Sequence, residues 1–251
     1  MTETDGRLAE WLAREAGQIL RALQRESGLE GKALGKAGDE QANAFLMDAL
    51  RSARPDDAIL SEEEADSTAR LGCERVWIID PLDGTREYSE GRDDWAVHVA
   101  LAIAGKPVIG AVALPGLCIT LTSDNPEPLA APNSPLKMLV SRTRPAAEAV
   151  AVALKMGAEL LPMGSAGAKA MAVVRGEADI YLHTGGQYEW DNCAPAAVAI
   201  AAGLHVSRVD GTPLVYNQPN TYLPDLLICR SELAATVFKH LAEVEAAPSL
   251  G

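Results

Sequence analysis

The segment Trp77-Ile78-Ile79-Asp80-Pro81-Leu82-Asp83-Gly84-Thr85 constrains this chain more than any other. Val76–Ile79 is a short apolar run rich in branched side chains, which predicts a buried strand. That strand delivers Asp80 at its end. Pro81 has no N–H to pair, so it stops the ladder there, and Asp83-Gly84 predicts a tight turn. Two aspartates three apart on such a turn can point at one spot. Gly84 lets the backbone approach a ligand closely, and the amides of Gly84 and Thr85 can open a helix, whose N-terminus is an anion site. One short segment therefore offers cation ligands beside a phosphate cradle.

The rest of the chain supplies layers for that strand to pack between. Leu8, Trp11, Leu12, Ile19, Leu20 and Leu23 recur at helical spacing and predict an amphipathic helix. Ser27–Gly38, with four glycines and two lysines, predicts a mobile loop, followed by a second helix from about Asp39 to near Pro55. Ala96–Ile103 and Val108–Leu114 predict two more strands joined through Ala104-Gly105-Lys106-Pro107. Pro115–Pro135 is rich in proline and polar residues and predicts a boundary between two domains, 1–133 and 134–251. Beyond it, strand and helix alternate: Lys137–Val140, Ala146–Met156, Glu159–Leu161, Ala166–Val174, Ile180–Leu182 and Ala194–Ala202. The fold class is therefore α/β, with an α+β half followed by an α/β half.

Bulk properties remove several function classes. A net charge of −13 is wrong for a nucleic-acid polymer, although a small phosphorylated substrate is compatible where cations are recruited locally. No run of about 18 apolar residues is present to span a membrane. The polar start Met1–Arg7 lacks the apolar run of a secretory signal, which predicts a cytoplasmic protein. Cys73, Cys118, Cys193 and Cys229 include no Cys-x-x-Cys pair, so free thiols are expected rather than a zinc site.

Two further acidic spots complete a candidate ligand set. Ser61-Glu62-Glu63-Glu64 follows the apolar Ala58-Ile59-Leu60, and Trp190-Asp191 precedes an alanine-rich helix. Carboxylates without histidine suit a hard cation such as Mg²⁺ better than zinc. Each piece also has a plain structural explanation: Asp-Gly is a common turn, a Glu triplet is a solvated face, and Asp before a helix is an N-cap. Spacing alone supports only a metal-site hypothesis.

Taken together, Asp80-Pro81-Leu82-Asp83-Gly84-Thr85, Trp190-Asp191 with Ala202-Gly203, and Ser61-Glu62-Glu63 resemble the motifs of the inositol monophosphatase superfamily, in order and spacing. The resemblance covers nearly the whole chain, most loosely before Asp39. It implies a layered αβαβα sandwich of the inositol monophosphatase and fructose-1,6-bisphosphatase type, and a lithium-sensitive phosphomonoesterase using two or three Mg²⁺ ions. By resemblance, Glu62, Asp80 and the Leu82 carbonyl bind one magnesium, and Asp80, Asp83 and Asp191 serve a second. Thr85 with Asp39 would orient and deprotonate the attacking water, Glu63 would support the metal ligands, and the Gly84 and Thr85 amides would hold phosphate. The segment Gly31-Lys32-Ala33-Leu34-Gly35-Lys36 departs from the family's loop pattern, which leaves open whether Lys32 or Lys36 takes that loop's part in closing the site over a metal. Dimers are common among such proteins, which makes a second copy of the chain a candidate partner.

Within that superfamily, three details resemble the 3′(2′),5′-bisphosphate nucleotidase branch. They are Val140-Ser141-Arg142-Thr143, Gly164-Ser165-Ala166-Gly167-Ala168-Lys169 and Glu189-Trp190-Asp191. The implied substrate is 3′-phosphoadenosine 5′-phosphate, cleaved to AMP, with its sulfated form as a second one. Ser141, Arg142, Gly164, Ser165, Lys169, Glu189 and Asp191 become candidate substrate contacts, beside Gly84 and Thr85. Arg142 is the first choice for the retained phosphate, because a guanidinium binds phosphate bidentately; Arg144 stands behind it. Tyr188 is a candidate for the adenine face, while His98, His183, Trp77 and Trp95 are assigned to the core. The competing readings are an inositol-1-phosphate or fructose-1,6-bisphosphate phosphatase, and a non-catalytic metal or nucleotide sensor on the same scaffold.

Overall fold

The computed structural model describes residues 4–126 and 128–246. The first half begins with helices α1 (Asp5–Glu26) and α2 (Gly31–Ala53). Five strands follow: β1 (Ala58–Ser61), β2 (Arg75–Asp83), β3 (Ala96–Ile103), β4 (Lys106–Leu114) and β5 (Ile119–Thr122), with the short helix α3 (Thr85–Ser89) after β2. They form one sheet in the order β1-β2-β3-β4-β5, in which only the β1–β2 pair is parallel.

The second half contains β6 (Lys137–Ser141), α4 (Ala147–Met156), β7 (Glu159–Met163), α5 (Ala166–Val174), β8 (Ile180–His183), β9 (Gln187–Tyr188) and α6 (Glu189–Ala201). It closes with β10 (His205–Ser207), β11 (Tyr222–Leu223), β12 (Leu226–Cys229) and α7 (Ala234–Glu245). Here the sheet order is β10-β12-β8-β6-β7, and β9 pairs with β11 as a separate two-stranded ribbon.

Strand alternation explains the layering, because successive side chains point to opposite faces. On β2, Trp77 and Ile79 enter a core with α1 and α2, whereas Val76 and Ile78 enter a core with α5 and α6. On β6 and β8, Leu139 and Tyr181 face that same middle layer, while Met138, Val140, Ile180 and Leu182 face α4 and α7. The result is an αβαβα sandwich, as the motifs imply, and α5 and α6 form its shared central layer.

Several local expectations change. Ser27–Gly38 is not a mobile loop: α2 begins at Gly31 and carries Asp39 inside its body. Gly35 and Gly38 are close-approach positions rather than breakers, whereas Gly28 and Gly31 take positive φ in open space. A Cβ at Gly35 would lie 2.8 Å from Thr85 Cγ2, and one at Gly38 would lie 3.0 Å from Leu82 and Tyr88 side-chain atoms. Pro81 does not end β2, because the strand continues to Asp83 through a register shift between Asp80 and Asp83. The Pro115–Pro135 stretch contains β5, and α6 starts at Glu189 rather than Ala194, with Pro195 accommodated inside it.

Candidate metal centre and its surroundings

The register shift in β2 creates the site. In a regular strand, residues three apart point to opposite faces. Asp80 pairs with His98 and Asp83 with Ala96, so β2 spends one more residue than β3 over this interval. Such a bulge re-aims a side chain. Asp83 therefore turns to the same side as Asp80, toward the N-terminal ends of α5 and α6.

Two other elements bring their acids to that point. Glu62 continues β1, its N–H donating to the Ile79 carbonyl at 3.3 Å, which sets it beside Asp80. Asp191 sits in the first turn of α6 and accepts the Tyr188 N–H at 2.6 Å. One carboxylate oxygen from each of Asp80, Asp83 and Asp191 lies within 4.8 Å of the others. Glu62 lies beside Asp80, close enough for the charge of each to act on the other's titration.

The electrostatics divide this group. Burial, followed by the charges of Glu62, Asp83 and Asp191, raises Asp80 well above the carboxylate range. Loss of solvent around its carboxylate, then the Asp191 charge, raises Glu62 to about 7, although much of the residue's surface remains exposed. Burial and the Asp83 charge raise Asp191 to about 6. Asp83 goes the other way, to about 2: burial works against its charge, but His98, Ser165 and the Gly167 amide outweigh it.

Asp83 is thus an anion seated on the start of α5. It accepts the Ser165 hydroxyl and the N–H groups of Ala166 at 3.1 Å and Gly167 at 2.6 Å. His98, fully buried, donates from Nδ1 to the Trp190 carbonyl at 2.9 Å. Its Nε2 lies 3.2 Å from Asp83 Oδ2, a charge contact rather than a well-aligned hydrogen bond. His98 is therefore more than core filling: it ties β3 to both Asp83 and the residue before Asp191. The position shows no sequence signal for this, since a histidine within an apolar strand reads as packing.

Thr85 begins α3 directly after Gly84, whose φ of +91° is a glycine conformation. A Cβ at Gly84 would also sit 3.1 Å from Ser165 Cβ, so the turn and α5 close on each other there. Thr85 Oγ1 lies 3.3 Å from Asp39 Oδ1 and 3.2 Å from the Leu82 carbonyl. Burial and the nearby Glu63 charge raise Asp39 to about 7. Asp39, Glu63, Thr85, Lys32, Lys36 and Arg86 line a cavity of about 560 Å³. Glu63 itself is exposed.

A smaller cavity of about 150 Å³ adjoins through Arg86 and is lined by Ser141, Arg142, Arg144, Gly164, Ser165 and Lys169 among others. Arg86 was not legible as a site residue, although it follows the motif directly. Arg142 is held by Glu87 Oε1 at 2.7 Å and Glu90 Oε2 at 2.9 Å, so a phosphate there would exchange partners with two carboxylates. Ser141 Oγ accepts the Arg144 N–H at 3.3 Å. Lys169 is buried and donates to the carbonyls of Gly164, at 3.1 Å, and Ser165. Burial lowers its pKa.

One expectation fails outright. Glu189 is 1% exposed and its carboxylate accepts the N–H groups of Asn217 at 2.6 Å and Gln218 at 2.8 Å. Its side chain is occupied inside the fold, where it satisfies the backbone of the 217–218 turn.

The carboxylate centre on this sandwich defines a phosphatase class, and the comparisons agree with it. A family model described as the inositol monophosphatase family matches residues 3–246, and the chain belongs to that family. It is 50% identical over 242 residues to the 3′-phosphoadenosine 5′-phosphate phosphatase of Mycobacterium bovis (strain ATCC BAA-935 / AF2122/97), covering 91% of this chain and 90% of that protein. The 3′(2′),5′-bisphosphate nucleotidase CysQ of Escherichia coli (strain K12) is 30% identical, over 74% of this chain and 81% of the relative. Among solved structures, CysQ from Bacteroides thetaiotaomicron superposes with a TM-score of 0.77 at 23% identity, covering 90% of this chain and 97% of that one. Among the described residues, no helix is long and apolar enough to cross a membrane.

Proposed function

We propose that this chain is a magnesium-dependent phosphomonoesterase that removes the 3′-phosphate of 3′-phosphoadenosine 5′-phosphate, giving AMP and phosphate, and acts on the sulfated nucleotide in the same way. The observation that carries this reading is the convergence of Asp80, Asp83 and Asp191, with Glu62 against Asp80, in a chain half identical to phosphatases named for that nucleotide.

The donor set fits the metal. It consists of carboxylates, and three of the acids are raised by burial and mutual repulsion, a conflict that a divalent cation relieves. Glu62, Asp80, the Leu82 carbonyl, Asp83 and Asp191 would hold it. Magnesium bound there supplies Lewis acidity, neutralising phosphate charge and acidifying water.

The chain's own residues account for the proton and the positioning. With Asp39 ionised, the Thr85 hydroxyl donates to it and turns its lone pairs toward an attacking water; with Asp39 protonated, Thr85 accepts from Asp39 and donates to Leu82. A carboxyl raised to about 7 can make that exchange near neutral pH, the condition for useful general-base catalysis. The Gly84 and Thr85 amides at the start of α3 would donate to phosphate oxygens. Arg86, Arg142 and Arg144 surround the smaller cavity and would receive the retained 5′-phosphate.

Initial rates on 3′-phosphoadenosine 5′-phosphate, inositol 1-phosphate and fructose 1,6-bisphosphate, measured side by side with magnesium, test the reading. The nucleotide is expected to give the highest kcat/KM. A tenfold preference for inositol 1-phosphate would overturn the nucleotidase assignment and leave only the phosphatase class.

A further inference from the structure

Beside the carboxylates lies an aromatic patch that the mechanism leaves unused. The chain has only four Trp, five Tyr and two Phe, yet Tyr188, Trp190 and Tyr222 gather in one place. Tyr188 and Trp190 stack at 4.9 Å with their planes 9° apart, and Tyr222 meets Tyr188 edge-on at 5.8 Å. Both tyrosines stay open to solvent, at 46% and 45% exposure, while Trp190 is packed against the central core. A folded protein normally buries such rings or breaks up the patch they make.

This patch is built. Tyr188 and Tyr222 are directly opposite partners in the β9–β11 ribbon, so their side chains share one face. Gly186, at φ +81°, leaves room for Tyr222: a Cβ there would fall 2.2 Å from the phenol oxygen. The buried Glu189 carboxylate clamps the Asn217 and Gln218 amides, and the Glu189 N–H donates to the Thr221 carbonyl at 2.9 Å. Glu189 thereby fixes the segment that carries Tyr222. The patch is also continuous with the site, since the Tyr188 N–H is bonded to Asp191 and the Trp190 carbonyl to His98.

We infer that Tyr188, backed by Trp190 and flanked by Tyr222, is the stacking surface for the purine of the substrate, and that Glu189 is the positioning residue that holds this surface in place. The inference rests on the nucleotide reading above and names the part of the chain that recognises the base. A ring held against another ring loses little freedom on binding, and base–aromatic stacking is strong enough to separate a nucleotide from a sugar phosphate. Phosphate recognition then falls to the separate cavity that Arg86, Arg142 and Arg144 line.

The test compares kcat and KM for 3′-phosphoadenosine 5′-phosphate with those for fructose 1,6-bisphosphate, which has no base. Wild type, Tyr188→Ala, Tyr188→Phe and Glu189→Gln are measured with magnesium. Tyr188→Ala is expected to lower the nucleotide-to-sugar ratio of kcat/KM by about tenfold, mainly through KM, and Tyr188→Phe to restore it. Glu189→Gln should lower the same ratio by a smaller factor, with wild-type circular dichroism. Separately, the fluorescence change on adding AMP to wild type should be diminished in Trp190→Phe. If Tyr188→Ala loses both substrates equally, or the ratio stays put, the stacking surface is overturned while the nucleotide reading stands. If wild type itself prefers the sugar phosphate, the nucleotide reading falls, and the platform falls with it.

Discussion

Strand β2 has an acid cluster at each end, and the two behave oppositely. At its start, Arg75 bridges Asp57 at 2.8 Å and Asp5 at 2.9 Å, Arg54 adds a bond to Asp5 at 2.7 Å, and the Trp77 indole donates to Asp57 at 2.9 Å. Burial disfavours charge on both aspartates, but hydrogen bonds from the arginines outweigh it and hold both below the usual carboxylate range. At its other end, Asp80, Glu62 and Asp191 are all raised, and among the described residues no basic side chain hydrogen-bonds to any of them. An acid cluster with built-in cations is structural. One without them is waiting for charge from outside, and this contrast within nine residues of strand separates scaffold from site.

The contrast can be broken from either end, and the largest effect is expected at the metal end. Asp80→Asn should cut turnover on the order of a thousandfold, since it removes a charge the cation needs. The same change should raise the melting temperature of the metal-free protein, because it relieves repulsion; a fall on thermal unfolding would contradict the view that this end is strained. Asp83→Asn should also abolish turnover, but here metal-free stability should drop, because Asp83 caps α5 and pairs with His98. Next in size, Thr85→Ala should reduce kcat by roughly a hundredfold or more, with Thr85→Ser largely retaining it. The acid limb of the wild-type pH–rate profile should fall near 7, where Asp39 loses its proton.

Thermal melts across pH sharpen the comparison further. Asp39 and Glu62, at about 7, and Asp191, at about 6, keep protons that the unfolded chain releases near pH 4. The folded metal-free protein therefore binds more protons between those values, and its stability falls as pH rises from about 4 toward 7. A drop on the order of 5 °C is expected over that window, removed by saturating magnesium. The smallest effect belongs to the scaffold end. Asp57→Asn should lower stability by about 2 kcal/mol with kcat nearly unchanged, as judged by urea unfolding and initial rates.

Sequence carried the strand and the turn, because an apolar run ending in Asp-Pro-Leu-Asp-Gly-Thr combines strong local preferences, and the motif resemblance grouped Asp80 and Asp83 with Asp191, which the structure brings together. It did not carry the bulge. Pro81 reads as a terminator, and only the pairing with β3 reveals an inserted residue that brings Asp80 and Asp83 to one side. The start of α2 was misread for a similar reason: glycine is a helix breaker by propensity, yet Gly35 and Gly38 are placed by tertiary contact with α3 and β2. Glu189 looked like a substrate residue because it adjoins Trp190-Asp191, and its partners, Asn217 and Gln218, lie too far along the chain to be guessed. His98 could be recognised only from its neighbours in space.

The helical start of α2 has a consequence for the thermodynamics of substrate capture. Ordering a flexible segment costs roughly 1–2 kcal/mol of backbone entropy per residue. Here Lys32, Lys36 and Asp39 already belong to a continuous helix locked onto Thr85 and Leu82 through two glycines. That cost is met during folding, so association can proceed onto a preorganised wall without first recruiting a loop.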